Sequence, residues 1–264
     1  DGYKEVTIET VVHPEEQVLL PARLEHDLGP EPGKPWLNSL GMPFIPVGDV
    51  RFCRWETRVK DYAAYCAATG RASTTPDFAQ TEDDPVVLVN WQDAMDFCAW
   101  LTEKERRERR ISDRQSYRLP TDEEWSLAVG LPAEGGTTPE KRDGRFHKVY
   151  PWGRDWPPPQ GAGNYADQSL KKGGIPGYTD GFPQTSPVGR FTPSATGLFD
   201  LGGNVWEWCL DGYKGGTDLH DWGVLRGGSY ANPKRTEMES SYRNVVSREG
   251  RDVIYGFRCV LATE

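Results

Sequence analysis

Apolar positions in the first half of the chain change period. Phe44, Ile45 and Val47, then Val50, Phe52 and Trp55, flank Gly48-Asp49, which predicts strands over 44–47 and 50–55 joined by a tight turn. Val59, Tyr62, Ala63, Cys66 and Ala67 then recur at helical spacing, and Gly70 ends that helix. Asn90 is a good N-cap for a second helix, with Trp91, Ala94, Met95, Cys98 and Leu101 on one face. Its tail, Glu103 to Arg110, alternates in sign and reads as a solvated face. Thr121-Asp122-Glu123-Glu124 is a capping box that starts a third helix, with Trp125, Ala128 and Val129 on its buried face and Gly130 at its end.

Beyond Gly130 the periodicity fades. Residues 131–200 predict long ordered loops rather than helices, because Trp152, Trp156, Tyr165, Tyr178 and Phe182 must pack somewhere. Strand-like runs return at Val224–Leu225 and over 254–261. The sum is an α+β domain over 39–264. It is preceded over 1–38 by an extended arm or linker broken by Pro14, Pro21, Pro30, Pro32 and Pro35, with Val18–Leu20 as one short strand.

The densest stretch is Gly197 to Cys209. Trp206 and Trp208 alternate with Val205 and Glu207, a strand period, just after Gly202-Gly203. Asp200 and Glu207 are hard oxygen ligands flanking a turn that brings carbonyls together, a recipe for Ca²⁺. The same residues also suit a buried aromatic turn whose acids face solvent, and the stretch by itself leaves both open.

Composition narrows the classes. Ten Trp and eleven Tyr sit beside 29 Gly and 21 Pro in 264 residues with mean hydropathy −0.68, which suits a compact, loop-rich domain. A net charge of −9 argues against a nonspecific grip on nucleic acid or anionic lipid. No apolar run reaches the length of a membrane span and no signal peptide is visible, so a cytoplasmic location is expected. The start at Asp1 suggests a processed form or an excised domain. Five Cys without a Cys-x-x-Cys pair and four His without metal spacing argue against a zinc cage.

Six ordered motifs carry a resemblance. They are Asp84-Pro-Val-Val-Leu-Val-Asn-Trp-Gln-Asp-Ala94, Arg118-Leu-Pro-Thr-Asp-Glu-Glu-Trp125, Tyr150-Pro-Trp-Gly153, Gly202-Gly-Asn-Val-Trp-Glu-Trp208, Leu225-Arg-Gly-Gly-Ser-Tyr230 and Gly256-Phe-Arg-Cys-Val260. Together the chain over about 39–262 resembles the formylglycine-generating enzyme, or sulfatase-modifying factor, superfamily. The resemblance implies a C-type-lectin-like fold with little regular structure. It implies two structural Ca²⁺ sites, one from Asn164 and Asp180 side chains with the Tyr165 and Phe182 carbonyls, the other from Asp200 and Glu207 with the Gly203 and Val205 carbonyls. It also implies that Cys98 and Cys259 are neighbours, bonded or, in a cytosolic setting, buried thiols, with the other cysteines free.

One departure decides the expected activity. The superfamily's oxidases hold Cu(I) on two cysteines whose matching positions here are Asn232 and Glu237. Neither an amide nor a carboxylate replaces a thiolate for that soft ion, so no copper and no formylglycine-generating activity are expected. A Ser229/His220/Asp218 triad can be drawn, but nothing orders it. The segment 230–255 mixes Tyr, Arg, Ser and Asn in the manner of a paratope. Tyr230, Asn232, Arg235, Glu237, Tyr242, Arg243, Arg248, Arg251 and Tyr255 are therefore the expected face for an unknown protein or other ligand.

That layout resembles bacterial lectin-fold variable proteins diversified by retroelements. The lead-in resembles domains that follow a serine/threonine kinase. The alternative to a non-catalytic, calcium-stabilised binding domain is a cysteine-free oxidoreductase or tailoring enzyme of the same superfamily.

Overall fold

The computed structural model describes residues 29–170, 173–216 and 222–263. The expected arm up to residue 28, with its Val18–Leu20 strand, lies outside them.

β1 (Trp36–Leu37), β2 (Pro43–Val47), β3 (Val50–Cys53), β4 (Gln115–Arg118) and β9 (Val260–Thr263) form one antiparallel sheet in the order β1-β2-β3-β9-β4. The predicted hairpin is present, with Val47 opposite Val50. β5 (Trp206–Gly212), β6 (Trp222–Arg226), β7 (Asn244–Ser247) and β8 (Tyr255–Gly256) form a second sheet in the order β7-β6-β5-β8, in which β8 runs parallel to β5.

α1 (Val59–Thr69), α2 (Trp91–Arg107) and α3 (Asp122–Ala128) stand where the apolar spacing put them. Their ends follow the predicted chemistry. The Asn90 side chain accepts the Asp93 amide at 2.9 Å while the Asp93 carboxylate takes the Asn90 amide at 3.0 Å. Thr121 and Glu124 reciprocate at 3.1 and 2.8 Å. Each box satisfies amides that a helix start leaves unpaired. Gly70 closes α1 in the left-handed region, φ 72°. Tyr62, Tyr65 and Phe97 meet edge-on or stacked between α1 and α2, and Phe257 closes the same cluster.

The elements differ from expectation in three respects. The run 254–261 is two strands in two sheets, because Phe257-Arg258-Cys259 crosses from one sheet to the other. The second hairpin strand stops at Cys53 rather than Trp55. β7, a 3₁₀ turn over Arg235–Met238 and the single-turn α4 (Pro139–Arg142) arise where the sequence showed no period.

The crossover has a physical cause. Arg258 is fully buried, and its guanidinium binds both oxygens of Glu207, the Nε contact being 2.8 Å. It also donates to the carbonyls of Phe199 at 2.9 Å and Asp200 at 3.1 Å. Trp125 of α3 donates its indole N–H to the same Glu207 at 3.0 Å. One ion pair thus joins β5, α3, the β8–β9 crossover and the loop before β5. Burial and the Asp200 and Glu207 carboxylates push the neighbouring buried Glu56 well above the usual carboxylate range, while Arg258 opposes that shift. Replacing one partner leaves the other charge buried and unpaired. Arg258→Ala is therefore expected to cost about 3–5 kcal/mol, read as a urea midpoint shift; a change under about 1 kcal/mol would show that the pair does not brace the core.

Candidate ligand and cation sites

The centre is the turn before β5. A Cβ on Gly203 would lie 2.3 Å from the Asn164 carbonyl oxygen, and one on Gly202 the same distance from the Tyr165 hydroxyl. Gly203 is therefore required for backbone approach, and Gly202 for room against the Tyr165 and Pro151 side chains. The approach lets the Asn204 amide reach the Asn164 carbonyl at 2.7 Å. Asn204 is buried and left-handed at φ 57°. Its amide nitrogen donates to Glu56 at 2.7 Å, and its oxygen accepts from Asn164 Nδ2 and Ser186 N, each at 3.0 Å. Neither Asn204 nor Glu56 was singled out from sequence. Asn204 sat inside a motif; Glu56 carried no local signal.

The four expected cation-binding side chains fall beside this turn. Asn164 spends its Nδ2 on the Gln184 carbonyl and Asn204, which leaves its buried Oδ1 without a partner. Asp180 accepts the Tyr165 and Phe182 amides, each at 2.9 Å. Burial raises its pKa to about 6 against those two hydrogen bonds. Asp200 accepts the Gly189 amide at 2.7 Å through Oδ2, while its Oδ1 is buried and unpartnered. Burial raises this carboxyl to about 6 as well.

Unsatisfied buried oxygens of this kind suit a hard cation. Glu207 is less free, since Arg258 and Trp125 hold its carboxylate. Among the described residues no three His, Cys, Asp or Glu side chains gather at one point. A cation at either place would rely on backbone carbonyls such as those of Tyr165 and Phe182, or of Gly203 and Val205.

The two positions matched to copper-binding cysteines are brought together. Asn232 Nδ2 donates to Glu237 Oε2 at 2.7 Å, and Asn232 Oδ1 accepts the Trp206 indole N–H at 2.8 Å and the Ser229 hydroxyl. Lys234 caps the other Glu237 oxygen at 2.9 Å. Every polar atom of the Asn232 side chain is engaged. His220 and Asp218, the other members of the drawn triad, lie outside the described residues.

The expected ligand face is corrected in part. Arg243 is buried and paired with Asp122 at 3.0 Å and with Glu134. Arg248 is buried with its guanidinium 4.2 Å from the Trp91 ring centroid and a 2.8 Å bond to the Leu210 carbonyl. Tyr230 is only 6 % exposed and meets Phe78 edge-on. Tyr and Arg compose a paratope, but they equally compose a core of stacked stems and paired guanidinium groups. Tyr242 and Tyr255 are half-buried against Trp206 and Trp208. Arg251 and Arg235 are exposed, on different supports: Arg251 pairs with Asp93, and Arg235 lies over Tyr150 and Trp156.

Cys98 and Cys259 face each other with their sulfurs 3.4 Å apart, and all five cysteines are buried free thiols. One cavity of about 480 Å³ lies between α3 and the β2–β3 turn, lined by Gly48, Leu127, Leu131, Glu134 and Arg142. Another of about 310 Å³ is lined by Trp152, Gln160, Thr192 and Asp200. Neither is lined by Ser229, Asn232 or Glu237. No helix among the described residues is long and apolar enough to cross a membrane.

Mixed sheets, few helices and a glycine turn under paired tryptophans define the class. Residues 24–263 match the sulfatase-modifying factor enzyme 1-like domain, and the chain belongs to that family. Over 147 residues it is 37 % identical to the inactive C-alpha-formylglycine-generating enzyme 2 of Bos taurus, covering 55 % of this chain and 38 % of that protein. The chain thus spans well under half of that relative's length. It is 26 % identical over 207 residues to the serine/threonine-protein kinase pkn1 of Chlamydia pneumoniae, covering 72 % of this chain and 26 % of the kinase.

Solved structures of PvdO from Pseudomonas aeruginosa and Treponema denticola variable protein 1 share the fold. Their TM-scores are 0.63 and 0.57, each at 19 % identity, covering 88 % of this chain and 99 % of theirs.

The Arg243 cluster carries a pH signature. Burial by itself raises the Asp122 carboxyl, but Arg226 and Arg243 outweigh it and hold the group below the usual range. Its contribution is therefore present above the unfolded value of about 3.9 and lost as pH falls through the lower folded value. Asp122→Asn should show a stability deficit that is constant over about pH 5–8 and shrinks below about pH 4. Urea melts across that range check this, and a deficit unchanged in acid would remove the charge from the explanation.

Proposed function

We propose that this chain is a non-catalytic, calcium-braced binding domain of lectin-like fold that takes a protein or other ligand. The observation that carries the reading is the Asn232–Glu237 hydrogen bond of 2.7 Å, at the two places where an oxidase of this family would need thiolates. Trp206 and Ser229 complete the bonding of Asn232, so the pair is closed on itself rather than poised for a soft metal. The relative named as inactive supports the same reading. Calcium is assigned a structural role. Asn164 and Asp180 with the Tyr165 and Phe182 carbonyls would hold one ion, and Asp200 and Glu207 with the Gly203 and Val205 carbonyls a second. The first is the better supported, since among the described residues Asn164 Oδ1 lacks a partner and Asp180 has no ion pair. An ion there neutralises the half-buried Asp180 carboxylate and ties the loops at 164–165 and 180–182 together.

Two outcomes are expected. Copper-loaded protein incubated with a sulfatase-type cysteine peptide yields no formylglycine by mass spectrometry; product would overturn the reading. Chelator lowers the melting temperature, and calcium at about 100 times its Kd restores about 2.7 kcal/mol. Asn164→Ala should abolish most of that response, and a melt indifferent to chelator would remove calcium from the account.

A further inference from the structure

We infer that the domain's binding hot spot is the platform of Arg235 on Tyr150, Trp152 and Trp156, and that it takes an acidic, aromatic-containing peptide segment of a protein partner. The inference rests on the binding-domain reading above and names its site and ligand chemistry.

The platform is rigid. Tyr150 and Gly153 exchange backbone hydrogen bonds at 2.7 and 2.9 Å, forming a closed turn. Trp152 stacks on Tyr150 with centroids 4.8 Å apart and planes 6° from parallel, and it meets Tyr165 edge-on at 4.9 Å. Its indole N–H is held by the Asp155 carbonyl at 2.9 Å. Trp156 leans on both rings at 5.7 and 6.4 Å. Tyr150 is buried, yet Trp152 and Trp156 remain half-exposed. Large rings held in one geometry lose little entropy on binding, which is what an interface anchor needs.

Arg235 supplies the charge. It opens the 3₁₀ turn Arg235–Met238, with its guanidinium 5.7 Å from the Tyr150 centroid and 5.1 Å from that of Trp156. Its Nε donates to the Tyr150 hydroxyl, while its two terminal nitrogens have no partner among the described residues. Arg58, Arg118, Arg243 and Arg258 each spend their guanidinium on a carboxylate of this chain. Arg235 is exposed, stacked and without one, on a protein of net charge −9. A guanidinium fixed by aromatic faces with its terminal nitrogens free donates two parallel hydrogen bonds to a carboxylate. The rings beside it take an aromatic side chain. One free guanidinium suits a carboxylate of a peptide rather than a nucleic acid, whose phosphates need several cations.

The test uses the whole chain and three probes: a Glu/Tyr copolymer, a Lys/Tyr copolymer and a single-stranded oligonucleotide, each titrated by tryptophan fluorescence. The Glu/Tyr copolymer should bind and the other two should not. Arg235→Ala and Trp156→Ala should each weaken that binding about tenfold or more. Arg235→Lys, which keeps the charge but not the fork, should also weaken it. Thermal melts of the exposed Arg235 variants should match the parent, so lost binding is not lost folding.

Equal binding by Arg235→Ala or by Arg235→Lys, equal affinity for the Lys/Tyr copolymer or the oligonucleotide, or no binding of the Glu/Tyr copolymer would each overturn the proposal. None of these outcomes bears on the broader reading, which is judged separately by formylglycine production.

Discussion

The buried Glu207–Arg258 ion pair is the constraint on which the rest of this structure depends. Arg258 lies on the crossover between the two sheets, and Glu207 lies on the central strand of the second. Neither can leave water without the other. Trp125, the Phe199 and Asp200 carbonyls and the crossover backbone are all positioned by satisfying that pair. The arrangement explains why a strand-like run of sequence changes sheets in its middle. It also explains why the loop carrying Asp200 arrives beside β5 although it makes no ladder with it.

A second polar layer surrounds the first. Asn204, Asn164, Glu56 and Asp200 are buried; the glycine turn lets the Asn204 amide meet the Asn164 carbonyl, and the Asn204 side chain donates to Glu56. The layer leaves two oxygens unsatisfied, Asn164 Oδ1 and Asp200 Oδ1. Orphans of that kind cost stability unless something fills them. The same residues therefore hold the loops and carry the oxygens on which the proposed calcium rests. A third cluster, Asp122 and Glu134 with Arg226, Arg243 and Arg142, ties α3 to the terminal segment by the same logic.

The proposed binding site sits where these networks end. The terminal segment is divided between framework and surface. Arg243 and Arg248 turn inward because carboxylates and Trp91 await them, whereas the exposed Arg235 meets aromatic rings and, among the described residues, no carboxylate. Residue type alone does not separate these fates, since the same guanidinium serves as core strut or as anchor according to what the fold places opposite it.

That division sets what could be read in advance. The sequence by itself determined α1, α2, α3 and the first hairpin, because apolar spacing, Asn90, Thr121, Gly48 and Gly70 act within a few residues of one another. It also identified the family, through motifs that are local strings. Only the tertiary structure decided the rest. The split of 254–261 between sheets depends on Glu207, some fifty residues away. The inward fate of Arg243 depends on Asp122, and the role of Glu56 depends on Asn204. These are pairings of charges and amides across long sequence separations, and burial energy, not local propensity, chooses the partner.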